Sequence, residues 1–324
     1  MILVTGASGN VGKAVLNEVA QSGAKHKAMY RSASEAAKAP AGTEAVVADF
    51  AKKETLAPAL RDVDAVYLVC SPIPDLAQLE TNMIDACVTA GVKHIVLNSA
   101  LGAGSYSKSF PSWHRKVEDK LKSTGTSFTI LRPNSFHQNV LAFFAPSIRA
   151  QGVFYSSMRD IRVSFLDVRD IAVVAAKALA GGDHNGKTYE LNGPEAMTYA
   201  ELAEKISKYA ARAVQYVDIH VEAQRKAMLD QGMPGWQVDA LLDLQEYYTS
   251  GNGGAVDPLL PKLLGRAPIT MDRFLGNLLE SFATKPPARE NTASSIILKP
   301  GHSPLVPGCA RLALIIRSLV HETF

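Results

Sequence analysis

The residues whose type and spacing could do chemistry begin at position 5. The run Thr5-Gly6-Ala7-Ser8-Gly9-Asn10-Val11-Gly12 sets three glycines three apart, where an apolar run ends and an amphipathic pattern begins. Gly6 permits a tight turn, Gly9 lets backbone come close to a pyrophosphate, and Gly12 lets a helix pack against a strand. A helix starting there, with Ser8, Asn10 and Val11 at its entrance, offers unpaired N–H groups and a positive dipole end to an anion. Glycines also punctuate ordinary loops. The strand before and the helix after select the phosphate reading.

The second apolar run ends in Met29-Tyr30-Arg31-Ser32, with no acid. An NAD site places Asp or Glu there to hold the ribose hydroxyls. The Arg31 guanidinium suits a 2′-phosphate instead, so the expected cofactor is NADP(H), preferred over NAD(H). The alternative is a solvated surface arginine. Asp49-Phe50 follows the third strand, where a carboxylate can reach an adenine amino group and a ring can stack. Cys70-Ser71-Pro72 follows the fourth, near the expected nicotinamide ribose. Either group could equally do no more than end its strand.

Certain elements must position these residues. Strands are expected at 1–5, 27–30, 44–47, 65–70, 94–98 and 128–131, with helices at 11–22, 52–60, 76–90 and 112–123. Continuous apolar strands alternating with helices imply an α/β fold, a doubly wound parallel sheet covered on both faces. Beyond Arg132 the pattern loosens. Strands at 161–166, 188–191 and 214–219 are expected, with helices at 168–179, 199–209, 221–231, 237–248 and 271–282. Thr198 is placed to cap the helix over 199–209. The resulting organisation is one domain over 1–283. Its dinucleotide-binding core occupies 1–133, and 134–283 form mostly a smaller substrate-binding region with strands returning to the sheet.

The last forty residues carry Pro286, Pro287, Pro300, Pro304 and Pro307 and read as a poorly ordered tail over 284–324. Residues 310–320 are apolar, but eleven residues that include Arg311 and Arg317 are too few to span a bilayer.

The totals exclude several classes. With 34 Lys+Arg against 31 Asp+Glu over 324 residues, the +3 charge is too small for a dedicated nucleic-acid binder. Hydrophobic residues at 47% exclude a disordered chain. Cys70, Cys87 and Cys309 are too few and too scattered for a disulfide framework or a metal site. No apolar run approaches the roughly 18 residues of a membrane span, and no signal peptide is evident. A cytoplasmic location is the expectation.

The helix after the fifth strand normally carries Tyr-x-x-x-Lys in classical short-chain dehydrogenases. None of the ten tyrosines here has Lys four residues later. The helix carries His114-Arg115-Lys116-Val117-Glu118 instead, with His114 and Glu118 on one face. Downstream lies Leu131-Arg132-Pro133-Asn134-Ser135-Phe136-His137-Gln138-Asn139. With the glycine run and Arg31, these residues resemble the NmrA-like atypical short-chain dehydrogenase/reductases, nearest their NADPH quinone oxidoreductase branch. The ergot alkaloid dehydrogenases share the layout. The resemblance spans residue 1 to about 283.

That resemblance implies a Rossmann fold binding NADP(H), with a small-molecule substrate over the nicotinamide. Its members include reductases of quinones, imines and activated double bonds, and regulators that bind dinucleotide without turnover. A reductase of a small planar or electrophilic acceptor is the first reading; an NADP(H)-sensing regulatory protein is the alternative. A homodimer or a regulatory partner is compatible with either.

Hydride transfer needs a flat pocket beside the nicotinamide and little acid catalysis from the protein. His114, titrating near neutrality, is the expected general acid, with packing as its alternative role. Lys116 is a second donor candidate, or a ribose contact, or a surface lysine. Glu118 fixes His114 or the backbone. Asn98 and Ser99 are further donors near the cofactor. Pro133, Asn134, Phe136 and Asn139 shape the pocket floor, and Trp113 and Phe136 stand near the substrate.

Overall fold

The apolar runs of the first half assemble into a parallel sheet. The computed structural model describes residues 1–283 apart from Ala211 and Asp257, and the tail expected over 284–324 lies outside the described residues. The chain runs β1 (Ile2–Val4), α1 (Asn10–Gln21), β2 (His26–Tyr30), α2 (Ala33–Ala36), β3 (Glu44–Val47), α3 (Leu56–Ala59), β4 (Ala65–Leu68), α4 (Leu76–Ala90), β5 (His94–Asn98), α5 (Ser109–Ser123) and β6 (Ser127–Pro133). It continues through α6 (His137–Gln151), β7 (Val153–Ser156), α7 (Val168–Leu179), β8 (Lys187–Leu191), α8 (Tyr199–Ala210), β9 (Gln215–Asp218), α9 (Val221–Asp230), α10 (Gly235–Tyr247), α11 (Leu259–Leu264) and α12 (Met271–Ala283).

The seven-stranded sheet has the order β3-β2-β1-β4-β5-β6-β8, every pair parallel. The chain winds outward from β1 to β3, then crosses back to β4. The turn after β1 therefore sits where the winding reverses, and ligands of open α/β sheets bind in the crevice there.

Alternation along β4 explains why both faces are covered. Ala65 and Tyr67 enter a core with α1 and α7, while Val66 and Leu68 enter a second with α3, α4 and α5. On α1, Val11, Val15, Leu16 and Val19 make one buried stripe. A third core, around Phe154, Phe165, Tyr199 and Leu202, joins α6, α8 and α10 beyond β6. Thr198 and Glu201 form a capping box at α8: the Glu201 N–H donates to Thr198 Oγ1 at 3.1 Å, and the Thr198 N–H donates to Glu201 Oε2 at 3.0 Å.

The strand expected over 161–166 does not form. Its backbone serves separate partners in turn. Val163 bridges Met197, the Ser164 N–H reaches the Gly253 carbonyl, and the Leu166 N–H reaches the Ser135 carbonyl. The place beside β6 belongs to β8. The helix expected over 52–60 is split, with a 3₁₀ turn at Lys53–Thr55 before the short α3, which contains Pro58. The helix α6, with Pro146 inside it, and the pairing of β7 with β9 in a separate two-stranded sheet were not foreseen.

A buried ion pair fixes α5 to the sheet. Arg132 on β6 donates from Nε and Nη2 to the two oxygens of Glu118, at 2.8 and 2.7 Å. Ser99 and Lys122 donate to the same carboxylate at 2.7 and 3.1 Å. Burial pushes the Glu118 carboxyl up, but the hydrogen bonds of Arg132, Ser99 and Lys122 outweigh it and hold it below its ordinary value. Arg132→Met should therefore destabilise the fold by about 3–5 kcal/mol near neutral pH, because a buried charge loses its main partner. Urea unfolding measures this. The pair contributes fully where the unfolded carboxyl is ionised and is lost as pH falls through the lowered folded value. The difference between variant and wild type should thus close in acid, below the ordinary carboxyl range.

Candidate active site

The glycine run forms a tight backbone cradle between β1 and α1. Gly6 has φ +59°, and a Cβ on it would lie 2.7 Å from a Val69 methyl. A Cβ on Gly12 would lie 2.1 Å from the Gly6 carbonyl oxygen, so the first turn of α1 rests directly on the turn after β1. Gly9 is the N-cap of α1 in extended conformation and supplies no side-chain cap. The N–H groups of the first turn are left for a ligand at the sheet's reversal point. Ser8, Gly9 and Asn10 are exposed along this edge, while Val11 and Gly12 are buried beneath it.

Arg31 stands exposed at the end of β2 and forms no ion pair among the described residues. Asp49 is half-buried, and its Oδ1 accepts the Ala51 N–H at 3.0 Å. Phe50 does not stand free to stack. Its side chain is buried in the core with Leu56 and Met83, and its carbonyl accepts from Asn82 at 2.9 Å. Ser71 and Pro72 are exposed after β4. Cys70 is half-buried; burial, with the nearby Glu80, pushes its thiol up to about 12, so it is no thiolate at neutral pH.

Helix α5 sorts the donor candidates. His114, Val117, Glu118 and Leu121 face inward, whereas Lys116 lies on the solvent side. Two residues along a helix turn the side chain about 200° away, so Lys116 does not share the His114 face. The expectation of a near-neutral His114 is also corrected. Burial lowers its imidazole to about 4, only partly opposed by Glu118. It is neutral at physiological pH and cannot serve as an imidazolium acid there. Glu118 does not fix His114, because Ser99, Arg132 and Lys122 occupy its oxygens.

At the ends of β5 and β6 the polar groups are largely committed to each other. Tyr67 donates its hydroxyl to Asn98 Oδ1 at 3.0 Å. The Asn134 amide donates to Ser164, Asn192 and the Gly253 carbonyl at 3.2, 3.0 and 2.9 Å, and its Oδ1 accepts the Ser135 N–H at 2.7 Å. Asn134 thus clamps three segments together rather than offering its amide to the pocket. Pro133 is buried; Phe136 and Asn139 are half-buried beside it. Trp113 is half-buried at the start of α5. It meets Phe110 edge-on at 5.2 Å and Trp236 of α10 at 6.5 Å.

Some groups escaped sequence reasoning. Glu80 on α4 is fully buried, and burial pushes its carboxyl well above its ordinary value beside Cys70. His137 is buried at the start of α6, its Nδ1 3.7 Å from the Asp167 carboxylate. Asp167 caps α7 and takes the Arg169 guanidinium at 2.8 and 2.7 Å. Glu80 lies in a helical stretch that reads as surface. Only the tertiary packing reveals it. Among the described residues, no cluster of His, Cys, Asp or Glu has metal-binding geometry, and no helix is long and apolar enough to cross a membrane.

The model of the NmrA-like family matches residues 1–268. The NAD(P)H azoreductase of Xenophilus azovorans is 34% identical over 276 residues, 85% of this chain and 96% of its own length. The (4-alkanoyl-5-oxo-2,5-dihydrofuran-3-yl)methyl phosphate reductase of Streptomyces griseus is 31% identical over 287 residues, 87% of this chain and 99% of its own. Among solved structures, the NADPH-dependent quinone oxidoreductase of Escherichia coli in complex with NADPH aligns with a TM-score of 0.79 at 29% identity. That alignment covers 86% of this chain and 99% of that one.

The cradle separates two glycines experimentally. Gly12→Ala should cost about 1–3 kcal/mol in unfolding free energy, because the new methyl must displace the Gly6 backbone. At Gly9 the nearest atom to an added Cβ is the Gly6 oxygen at 3.4 Å, an ordinary contact. Gly9→Ala should leave the melting temperature nearly unchanged. Paired thermal melts measure the contrast.

Proposed function

The chain belongs to the NmrA-like family and is an NAD(P)H-dependent oxidoreductase, and from that premise we propose that it is an NADPH-dependent reductase of planar, conjugated electrophiles. The observation that carries the cofactor choice is Arg31, exposed at the end of β2 where no carboxylate stands. A guanidinium there attracts a 2′-phosphate, whereas a carboxylate would repel it.

The cradle residues fit a dinucleotide. Gly6, Gly9 and Gly12 let the backbone approach the pyrophosphate, and the uncapped start of α1 faces it. Asp49 lies toward the adenosine end, and Asn98, Ser99 and Phe136 lie toward the nicotinamide end. When bound, the reduced nicotinamide supplies a hydride.

The acceptor class follows from two supports. The relatives are named for an azo group, an unsaturated lactone and a quinone, each a conjugated electrophile. This chain sets Phe110, Trp113 and Trp236 in a contiguous aromatic group beside the start of α5, a surface suited to a flat molecule. Such acceptors take a hydride directly and draw the remaining proton from water. That agrees with the missing Tyr-x-x-x-Lys pair and with a neutral His114.

Fluorescence titration with NADPH and NADH, then turnover of a quinone and an azo dye, tests the proposal. Arg31→Ala should raise the Kd for NADPH about 10- to 100-fold, the value of a charge-assisted contact, and leave NADH unchanged. Equal binding of both cofactors by the wild type would overturn the NADPH assignment. Failure to reduce any conjugated acceptor would overturn the reductase reading.

A further inference from the structure

Helix α5 begins at the sheet's carboxyl edge and runs back alongside the strands. Glu118 marks its level, because it is bonded to Ser99, the first residue beyond β5. His114 is four residues nearer the start of α5 on the same inward face, which sets it about 6 Å beyond the level of Ser99, toward the carboxyl side of the sheet. The aromatic group of Trp113, Phe110 and Trp236 adjoins it.

The two ring nitrogens of His114 differ. Nδ1 is buried without a hydrogen-bond partner. Nε2 forms no hydrogen bond among the described residues either, but it is not sealed off as Nδ1 is, and the residue as a whole is 6% exposed. A buried N–H without an acceptor is rarer than a buried lone pair without a donor. The proton therefore belongs on Nε2, the nitrogen that can meet a ligand.

We infer that His114 is a catalytic residue that polarises the acceptor, donating a hydrogen bond from Nε2–H as a neutral imidazole to the atom that gains charge. The inference rests on the reductase reading and names the group that serves it. When bound, the reduced cofactor would supply two electrons and a proton as hydride from a C–H bond and would itself be oxidised. The acceptor that takes this hydride forms the new bond and becomes an anion. His114 stabilises the anion and keeps its own proton. Water supplies the proton that completes the reduced product. Neutral imidazole is a competent electrophile of this kind, since it needs no recharging between turnovers.

Burial keeps His114 neutral, and the charges on the elements around it are paired among themselves. Glu118, on its own helix, is neutralised by Arg132. From α4, Asp85 pairs with Lys120, and burial pushes the Glu80 carboxyl well above its ordinary value. From α10, Asp239 pairs with Arg225, Asp243 takes the Ser109 hydroxyl and Glu246 pairs with Lys108.

The test uses the full chain, with duroquinone as acceptor. His114→Leu should lower kcat/KM about a hundredfold, the effect of losing one preorganised donor, with the Kd for NADPH unchanged. His114→Gln carries an N–H near the Nε2 position and should recover most of the loss. The wild-type kcat/KM should show no inflection between pH 5.5 and 8. Nitrogen-15 NMR of the histidine rings should show the Nε2–H tautomer, and this signal should shift when duroquinone is added with NADP⁺, where no turnover occurs. An inflection between pH 6 and 7 would overturn the inference. So would an Nδ1–H tautomer, or a leucine variant of normal kcat/KM. A wild type whose Nε2–H signal responds to duroquinone but that reduces no acceptor would instead overturn the reductase reading, so the two failures are distinguishable.

Discussion

The candidate site depends on how closely α1 can approach the end of β1. With a Cβ at position 12 only 2.1 Å from the Gly6 carbonyl, the helix sits where no side chain could. That contact aims the start of α1 at the reversal point between β1 and β4. The buried stripe of Val11, Val15, Leu16 and Val19 then holds the helix at that angle against α7 and the sheet. The uncapped, exposed start of α1 at this edge is thus a consequence of packing. The unpaired N–H groups point into the crevice because the glycines allow the helix no other seat.

A second constraint positions the opposite wall. Glu118 receives donors from the segment after β5, from β6 and from its own helix. Such a buried carboxylate contributes specificity more than net stability, since its desolvation opposes the attraction. Here the specificity is rotational. Once Glu118 is locked, His114 must face inward and Lys116 must face water. The hydrogen bond of Tyr67 to Asn98 on the neighbouring strand, and the clamp of Asn134 on Ser164, Asn192 and Gly253, tie down side chains at the carboxyl ends of the strands.

Much of this was legible in the sequence because it is local. Turn chemistry at Gly6 to Gly12, the unbroken apolar runs of β1, β4 and β5, and the missing acid after β2 are all read within a few residues. The capping role of Thr198 is local too. The misreadings are non-local. Residues 161–166 have the composition of a strand, but their partners lie at 135, 197 and 253, which no window of sequence brings together. Phe50 reads as a strand-end ring available for stacking; only the packing of α3 and α4 around it shows that it is buried in the core. His114 carries an ordinary histidine's expectation until its burial is known, and Glu80 looks like a surface acid until α4 is seen from inside.

These buried groups share one property that bears on the chemistry. Cys70, Glu80 and His114 are titratable, lie on the elements that wall the crevice, and are all shifted toward their uncharged forms by burial. A site that worked by protein-borne acid catalysis would need a group poised near neutral pH, as the classical Tyr-Lys arrangement provides. None of these three groups is poised in that way. What the wall offers is low polarity, fixed dipoles and aromatic surface. In such surroundings a single oriented N–H is worth more than it would be in water, because little solvent competes for the charge it meets. The arrangement suits a reaction whose only demand on the protein is to hold a flat acceptor against the cofactor and to steady the charge that the hydride brings.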